Sequence, residues 1–366
     1  MTARIVFAAG GTGGHIFPAI AVADALKKQN EKAEIIFIGA KGRMEERIIP
    51  KCGYSLLTLD IRGFYRSLSP KNINVIYKLI RSTKKAKNFL KEFKPQVVFG
   101  TGGYVSGPVV RAAYKLGIPS VLYEGNYFPG LTVKALASKA YKVILNFEGS
   151  KKYFKRQDNL EVMPYPVRST LRHYPRYEAN KFFGLQDELK TLFVFGGSQG
   201  ANSINTALLD CAEELINNNI QIIWQSGYRD YKTISEKIKE LPGIKLFKFI
   251  DNMDYAYSSA DLVVCRSGIS TMMEAAYFGS AVVFVPYAFA SDNHQEKNAK
   301  AMVDAGAAEM VTDNELNYKF ENKILELMKD ENKRALMKKN IERFGDKDAA
   351  LKIANFLNDF INFKKN

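Results

Sequence analysis

Arg4-Ile-Val-Phe-Ala-Ala-Gly-Gly-Thr-Gly-Gly-His15 is the stretch that decides the fold. Its apolar run has the length of a buried parallel strand. Its glycines let backbone approach a ligand, and the helix that follows turns its positive end toward an anion. The pattern returns at Thr191-Leu-Phe-Val-Phe-Gly-Gly-Ser-Gln-Gly200. Working outward, apolar runs predict strands over 4–9, 34–38, 54–59, 96–100, 120–123 and 142–147, with helical spacing over 19–28, 72–91 and 108–116. A second series of strands is expected over 191–195, 221–225, 245–249, 261–265, 281–285 and 308–311. This is an α/β chain of two Rossmann-like domains with parallel sheets. Pro164, Pro166 and Pro175 break regular structure between them, so the domains are read as 1–163 and 164–345. The segment 346–366 carries a helix over Ala349 to Phe363, expected to cross back onto the first domain.

Composition narrows the class. The chain has 366 residues with 46% hydrophobic content, enough for two cores. Cys52, Cys211 and Cys265 are isolated, which fits a reducing cytoplasm and indicates neither a disulfide framework nor a zinc site. No cleaved leader and no membrane span are expected, since the first apolar run is short and none approaches about 18 residues. The net charge of +15 asks for an anionic partner. Between Lys71 and Lys94 lie Lys78, Arg81, Lys84, Lys85, Lys87 and Lys91 against Glu92 alone, interleaved with Val75, Ile76, Leu79, Ile80 and Phe89. This reads as a basic amphipathic helix on an anionic membrane surface, or as a helix docked on its own domain with solvated lysines. No nucleic-acid motif accompanies the charge, so nucleic acid is not expected as a partner.

The glycine turns exclude two chemistries. A dinucleotide turn needs a third glycine where Ile16 stands and a carboxylate after the second strand, which ends in Ile38-Gly39; a Walker turn needs Gly-Lys-Ser/Thr. A third turn, Gly100-Thr-Gly-Gly-Tyr-Val-Ser-Gly107, gives the first domain two sets of backbone amides, which suits a diphosphate. In the second domain, Arg266-Ser-Gly-Ile-Ser-Thr-Met-Met-Glu274 opens a helix with hydroxyls for a phosphate and a carboxylate for ribose. Ser291-Asp-Asn-His-Gln-Glu-Lys-Asn298 supplies amide donors and acceptors of the kind that read sugar hydroxyls.

Taken together, Gly10 to His15, Gly102-Gly-Tyr-Val-Ser-Gly-Pro108, Gly196-Gly-Ser-Gln-Gly-Ala201, Arg266-Ser-Gly268 with Glu274, and His294-Gln295 with Asn298-Ala299 resemble the MurG family nearly end to end. The resemblance implies GT-B architecture, with the two sheets facing a cleft. It implies transfer of GlcNAc from UDP-GlcNAc to the lipid-linked muramyl-pentapeptide of peptidoglycan synthesis, by a peripheral enzyme on the cytoplasmic face of the membrane. It further implies that Gly11, His15, Gly102, Gly103, Tyr104 and Ser106 face the acceptor diphosphate. Thr12, Gly13 and Gly14 adjoin both substrates, and Asn126, with Glu124, lies near the transferred sugar. Arg168, Ser198, Gln199 and Ile250 would face the nucleotide, Ile269 and Thr271 the phosphates, Glu274 the ribose, and His294 and Gln295 the GlcNAc hydroxyls.

The chain departs from the family pattern on the acceptor side. It reads Tyr123-Glu-Gly-Asn126 where the family commonly shows His-Glu-Gln-Asn, Pro164-Tyr-Pro-Val-Arg168 for Gly-Asn-Pro-Val-Arg, and Val133 for a frequent asparagine. The reaction expected is inverting displacement by the acceptor's C4 hydroxyl. His15 is the candidate base, with Glu124 the alternative; His15 would otherwise cap its helix or bind phosphate. Neither a cofactor nor a metal is expected, the one Asp-x-Asp being Asp346-Lys-Asp348 in the polar tail.

Overall fold

The computed structural model describes residues 2–63, 70–197 and 199–363. The chain divides into two compact units, one of residues 1–169 with 347–366 and the other of 170–346.

The first unit runs β1 (Arg4–Ala8), α1 (Gly13–Gln29), β2 (Glu34–Ala40), α2 (Glu45–Lys51), β3 (Ser55–Leu59), α3 (Lys71–Phe93), β4 (Val97–Gly100), α4 (Gly103–Lys115), β5 (Ser120–Glu124), α5 (Leu131–Leu136), β6 (Lys142–Leu145) and β7 (Leu160–Val162). The strands pair in parallel in the order β3-β2-β1-β4-β5-β6-β7. Side chains alternate across this sheet because successive residues point to opposite faces. Val6, Ala8, Ile38, Val98, Leu122 and Leu145 form one apolar core with residues of α3, α4 and α5. The other set carries an aromatic ladder in which Phe7 stacks on Phe37 at 5.1 Å and meets Phe99 edge-on, with Tyr123 next in line.

The second unit runs α6 (Arg176–Phe183), β8 (Lys190–Phe195), α7 (Asn202–Asn217), β9 (Ile220–Gln225), α8 (Tyr231–Lys237), β10 (Ile244–Phe247), α9 (Met253–Ser259), β11 (Leu262–Cys265), α10 (Ile269–Tyr277), β12 (Val282–Phe284), α11 (His294–Val303), β13 (Glu309–Met310), α12 (Leu316–Lys329) and α13 (Glu331–Ile341). Its sheet is parallel in the order β10-β9-β8-β11-β12-β13. The last helix, α14 (Ala349–Phe363), returns to the first unit and lies against α1 and β4, burying Ile353, Ala354 and Leu357. Its Asn358 side-chain amide donates to Gln29 at 2.6 Å.

In both sheets the strand order reverses beside the first strand of the unit, between β1 and β4 and between β8 and β11. Such switch points, at the carboxyl ends of parallel strands, are where α/β sheets bind ligands. The glycine turns after β1, β4 and β8 and the Arg266-Ser-Gly268 turn after β11 all open there.

Three sequence readings need correction. The expected boundary after residue 163 falls six residues early, because 164–169 pack with the first unit: Tyr165 is buried and Ser169 donates to Asp24 at 3.0 Å. Helices α1 and α4 begin five or six residues before their expected starts, with Pro18 and Pro108 inside them. A proline at the sixth helical position removes one backbone donor, and at α1 the orphaned carbonyl is Gly14 O. The Tyr165 hydroxyl donates to that carbonyl, at 3.3 Å. Finally, β7 was not expected, being three residues long with Val162 exposed.

Among the described residues no helix is long and apolar enough to cross a membrane. Helix α3 buries Val75, Ser82, Ala86 and Leu90 on its own unit, yet keeps Ile73, Ile76, Tyr77 and Ile80 exposed. The spacing of these four, i, i+3, i+4 and i+7, puts them on one face of the helix.

Candidate active site

In the first unit the site is built around the His15 imidazole. Its Nδ1 lies 2.7 Å from the carbonyl oxygen of Thr101, and the Thr101 hydroxyl donates to the carbonyl of His15 at 2.6 Å. A carbonyl only accepts, so Nδ1 carries a proton in this contact, and Nε2 is the nitrogen whose protonation can change. The turn after β4 closes on the same ring: a Cβ at Gly102 would stand 3.0 Å from His15 Cε1, and one at Gly103 would stand 2.8 Å from the carbonyl oxygen of Gly10. Gly102 and Gly103 have φ of 90° and 68°, which favour glycine. Neither α1 nor α4 has a capping side chain or an acidic residue in its first turn. The amides at both helix starts thus supply positive potential with no competing carboxylate in the first turn.

The turn after β1 rests on a residue that sequence reasoning missed. Glu45 is fully buried and accepts from the Ala40 N–H at 2.9 Å and from the Gly11 N–H at 3.3 and 3.4 Å. Its carboxylate fills the space over Gly10, where a Cβ would stand 2.3 Å from Oε1.

The geometry also reassigns several expected residues of this unit. The Gly11 amide points inward to Glu45 and so does not face a diphosphate. Ser106 is fully buried, and its hydroxyl is directed at the carbonyls of Gly102 (2.6 Å) and Ala8 (3.0 Å), tying the two turns together rather than meeting a ligand. Glu124 is buried too. Its carboxylate accepts from the Asn126 backbone and side chain at 3.0 Å each and from the Gly130 N–H at 2.8 Å, which organises the loop after β5. Burial pushes its pKa above the usual carboxylate range, against these hydrogen bonds. A carboxylate so enclosed is a poor alternative base. Tyr123 is buried between Phe99 and Tyr165, 6.0 Å from the latter ring, and its hydroxyl finds no hydrogen-bond partner among the described residues. Two departures from the family pattern, Tyr123 and Tyr165, are therefore packed against each other. Tyr104 stays half-buried beside Gly11, its phenol pKa raised by burial. Arg168, expected in the second domain, belongs to the first unit, with its guanidinium 5.6 Å from the Phe17 ring centroid.

In the second unit, Thr12's counterpart position is taken by Ser198, which lies outside the described residues, while Gln199 is exposed. Gly197, at the start of this stretch, is held by Gln225, which is buried at the end of β9. Its amide donates to the carbonyl of Gly197 at 3.0 Å, and its oxygen accepts the Ile250 N–H at 2.7 Å. The Ile250 amide is thereby taken, and the residue is buried. Helix α10 opens at Gly268, where an added Cβ would meet open space, and again lacks a capping side chain and a first-turn acid. Thr271 and Glu274 are three residues apart and so share a face; Glu274 is 8% exposed. The Ser267 hydroxyl donates to the carbonyl of Gln295 at 2.9 Å, bringing α10's start together with His294 and Gln295 at the start of α11.

Two Rossmann-like units, each opening glycine turns beside its switch point, are the architecture of the GT-B fold, and the family matches make it a glycosyltransferase. Residues 5–145 match the glycosyltransferase family 28 N-terminal domain and residues 191–353 the glycosyltransferase family 28 C-terminal domain. A Prosthecochloris aestuarii protein named UDP-N-acetylglucosamine--N-acetylmuramyl-(pentapeptide) pyrophosphoryl-undecaprenol N-acetylglucosamine transferase is 40% identical, covering 99% of this chain and 100% of its own. A protein of the same name from Parabacteroides distasonis is 38% identical over 96% of each chain. The crystal structure of Acinetobacter baumannii MurG matches at 28% identity with a TM-score of 0.81, covering 98% of this chain and all of that one. CalG4, the calicheamicin glycosyltransferase, shares the fold at 12% identity and a TM-score of 0.72. The chain belongs to the MurG family.

Proposed function

We propose that this enzyme transfers GlcNAc from UDP-GlcNAc to the C4 hydroxyl of undecaprenyl-pyrophosphoryl-MurNAc-pentapeptide, with inversion at the anomeric carbon. The observation that carries the reading is identity of 38–40% over nearly the whole chain to transferases of that name. The chemistry fits the residues. As the acceptor oxygen bonds to C1 and the C1–O bond to the diphosphate breaks, the acceptor's proton goes to His15 Nε2, the ring nitrogen turned away from the Thr101 carbonyl. Charge develops on departing UDP, and the first-turn amides of α10, with Thr271, are suited to stabilise it; Arg168 is the proposed counter-charge. Glu274 accepts from the ribose hydroxyls, and His294 and Gln295 meet the sugar. On the acceptor side, Thr12, Gly13, Gly14, Gly103 and Tyr104 supply the contacts to the lipid diphosphate.

We assign membrane attachment to α3. Four exposed apolar side chains, Ile73, Ile76, Tyr77 and Ile80, share a helix with exposed Arg81, Lys84 and Lys91, the pairing that an anionic bilayer surface binds. Lys78 and Lys85 are engaged internally, with Asp60 and the carbonyl of Thr58. Ile76→Asp with Ile80→Asp is expected to abolish cosedimentation with phosphatidylglycerol vesicles.

The activity is tested by transfer of radiolabelled GlcNAc from UDP-GlcNAc to a short-chain lipid-linked muramyl-pentapeptide, with EDTA present. Transfer by the wild type that His15→Ala and Glu274→Ala both impair is expected. Binding of UDP-GlcNAc without transfer would move the acceptor elsewhere, and no binding would overturn the reading.

A further inference from the structure

Arg266 stands at the mouth of the second unit's switch point, one turn from the helix start to which a diphosphate is assigned. A cation there reads at first as a phosphate ligand. Its bonds say otherwise. Nη1 donates to the carbonyls of Val285 (3.2 Å) and Pro286 (3.1 Å) and to Asp313 Oδ1 (2.8 Å), while Nη2 donates to the Ser203 hydroxyl (2.8 Å). The Ser203 hydroxyl in turn donates a hydrogen bond to the same Asp313 oxygen at 2.7 Å. The Arg266 and Asp313 side chains are only 14% and 17% exposed, so the guanidinium is neutralised within the protein.

This cluster is tied to the segment between β12 and α11 by the two carbonyl bonds of Arg266 and by further contacts. Asp313 Oδ2 accepts the Ala288 N–H at 3.2 Å, Gln295 Oε1 accepts the Tyr287 N–H at 2.9 Å, and the Tyr287 ring lies 5.5 Å from the guanidinium. The segment then enters α11 through Asp292 and Asn293, at φ of 54° and 52°. Two successive non-glycine residues in the left-handed region are strained, and such strain persists only where surrounding contacts over-determine it. The next two residues are His294 and Gln295.

We propose that Arg266, Ser203 and Asp313 are positioning residues for the sugar half of the donor. Arg266, after β11, and Asp313, before α12, grip 285–288, Ser203 of α7 links the two, and together they hold the strained entry that aims His294 and Gln295. The proposal rests on the assignment of UDP-GlcNAc as donor. It separates the sugar from the nucleotide, since Glu274 and Gln225 belong to other segments. It also gives Gln295 two tasks: its oxygen holds Tyr287, and its NH2 group is the part directed to the sugar.

The test compares calorimetric binding of UDP and UDP-GlcNAc to full-length wild type, Arg266→Lys, Asp313→Asn and the milder Ser203→Ala, with thermal unfolding in parallel. A lysine cannot reproduce the fork that reaches two carbonyls, a carboxylate and a hydroxyl. The expected result is UDP affinity within about twofold of wild type and UDP-GlcNAc affinity and kcat/KM lowered about tenfold or more in Arg266→Lys and Asp313→Asn, as misplacement of orienting groups produces. A merely structural role would weaken both ligands together or neither. Equal loss of UDP and UDP-GlcNAc, or an unchanged ratio in all three variants, overturns the proposal. Failure of the wild type to bind UDP-GlcNAc while it binds UDP would instead remove the donor assignment on which the proposal stands.

Discussion

Replacing Glu45 by alanine tests whether a buried carboxylate supports the first glycine turn. Glu45 accepts from two backbone amides, Ala40 and Gly11, in a place with no solvent access. Removing it orphans both donors, at about 1–3 kcal/mol each, and leaves a cavity where the side chain stood. Relief of the carboxylate's own desolvation offsets part of this, which leaves a net loss of roughly 2–4 kcal/mol. For a unit of this size that corresponds to a fall in Tm of roughly 5–15 °C. Glu45→Gln keeps the shape and can place its one oxygen at Oε1, where both amides point, so it should lose about 1 kcal/mol from weaker, uncharged hydrogen bonds. Differential scanning calorimetry of the two variants and wild type reads both values. An alanine variant that unfolds within a degree or two of wild type, or a glutamine variant as unstable as alanine, would refute the argument.

His15→Ala should lower kcat by about 10²–10⁴, as loss of a general base does, with calorimetric affinity for UDP-GlcNAc unchanged. Gln225→Leu leaves the buried Ile250 N–H and the carbonyl of Gly197 without their side-chain partner, costing roughly 2–4 kcal/mol by calorimetry, and is expected to weaken UDP binding as the turn after β8 loosens. Glu315 has its pKa lowered to about 2, first by its hydrogen bond from Lys319 and then by the Thr312 amide. Its stabilisation is therefore complete above the unfolded value near ~4.3 and is lost as pH falls from there toward 2. Glu315→Gln should melt below wild type at pH 7 and converge with it in acid, which a Tm series against pH reads.

Much of the fold was legible because buried parallel strands announce themselves as apolar runs: twelve of the expected strands are present with ends shifted by a residue or two, whereas Leu160–Val162 has too short a run to stand out. Helix starts were read late where a proline looked like a beginning. In Pro18's case the cost is met by Tyr165, whose sequence distance hides the bond. The same holds for the site. His15 and Glu274 lie in motifs, but the groups that orient the motifs are tertiary. Glu45 acts 34 residues from Gly11, Gln225 28 from Gly197, and Arg266 47 from Asp313, and no local pattern encodes such pairings. The basic α3 shows the opposite failure: its apolar residues were visible, but only the packing divides those docked on the unit from those left outside.

The return of α14 to α1 makes the first unit discontinuous in sequence, with the whole second unit interposed. On a ribosome adding about 5–20 residues per second, the second unit is complete while the first still waits for its last helix. For seconds to tens of seconds the α1 surface that Ile353, Ala354 and Leu357 will cover stays open. Docking of these fifteen helical residues then completes the first unit, and a chain cut before residue 349 should leave the ribosome with a finished second unit and an aggregation-prone first one.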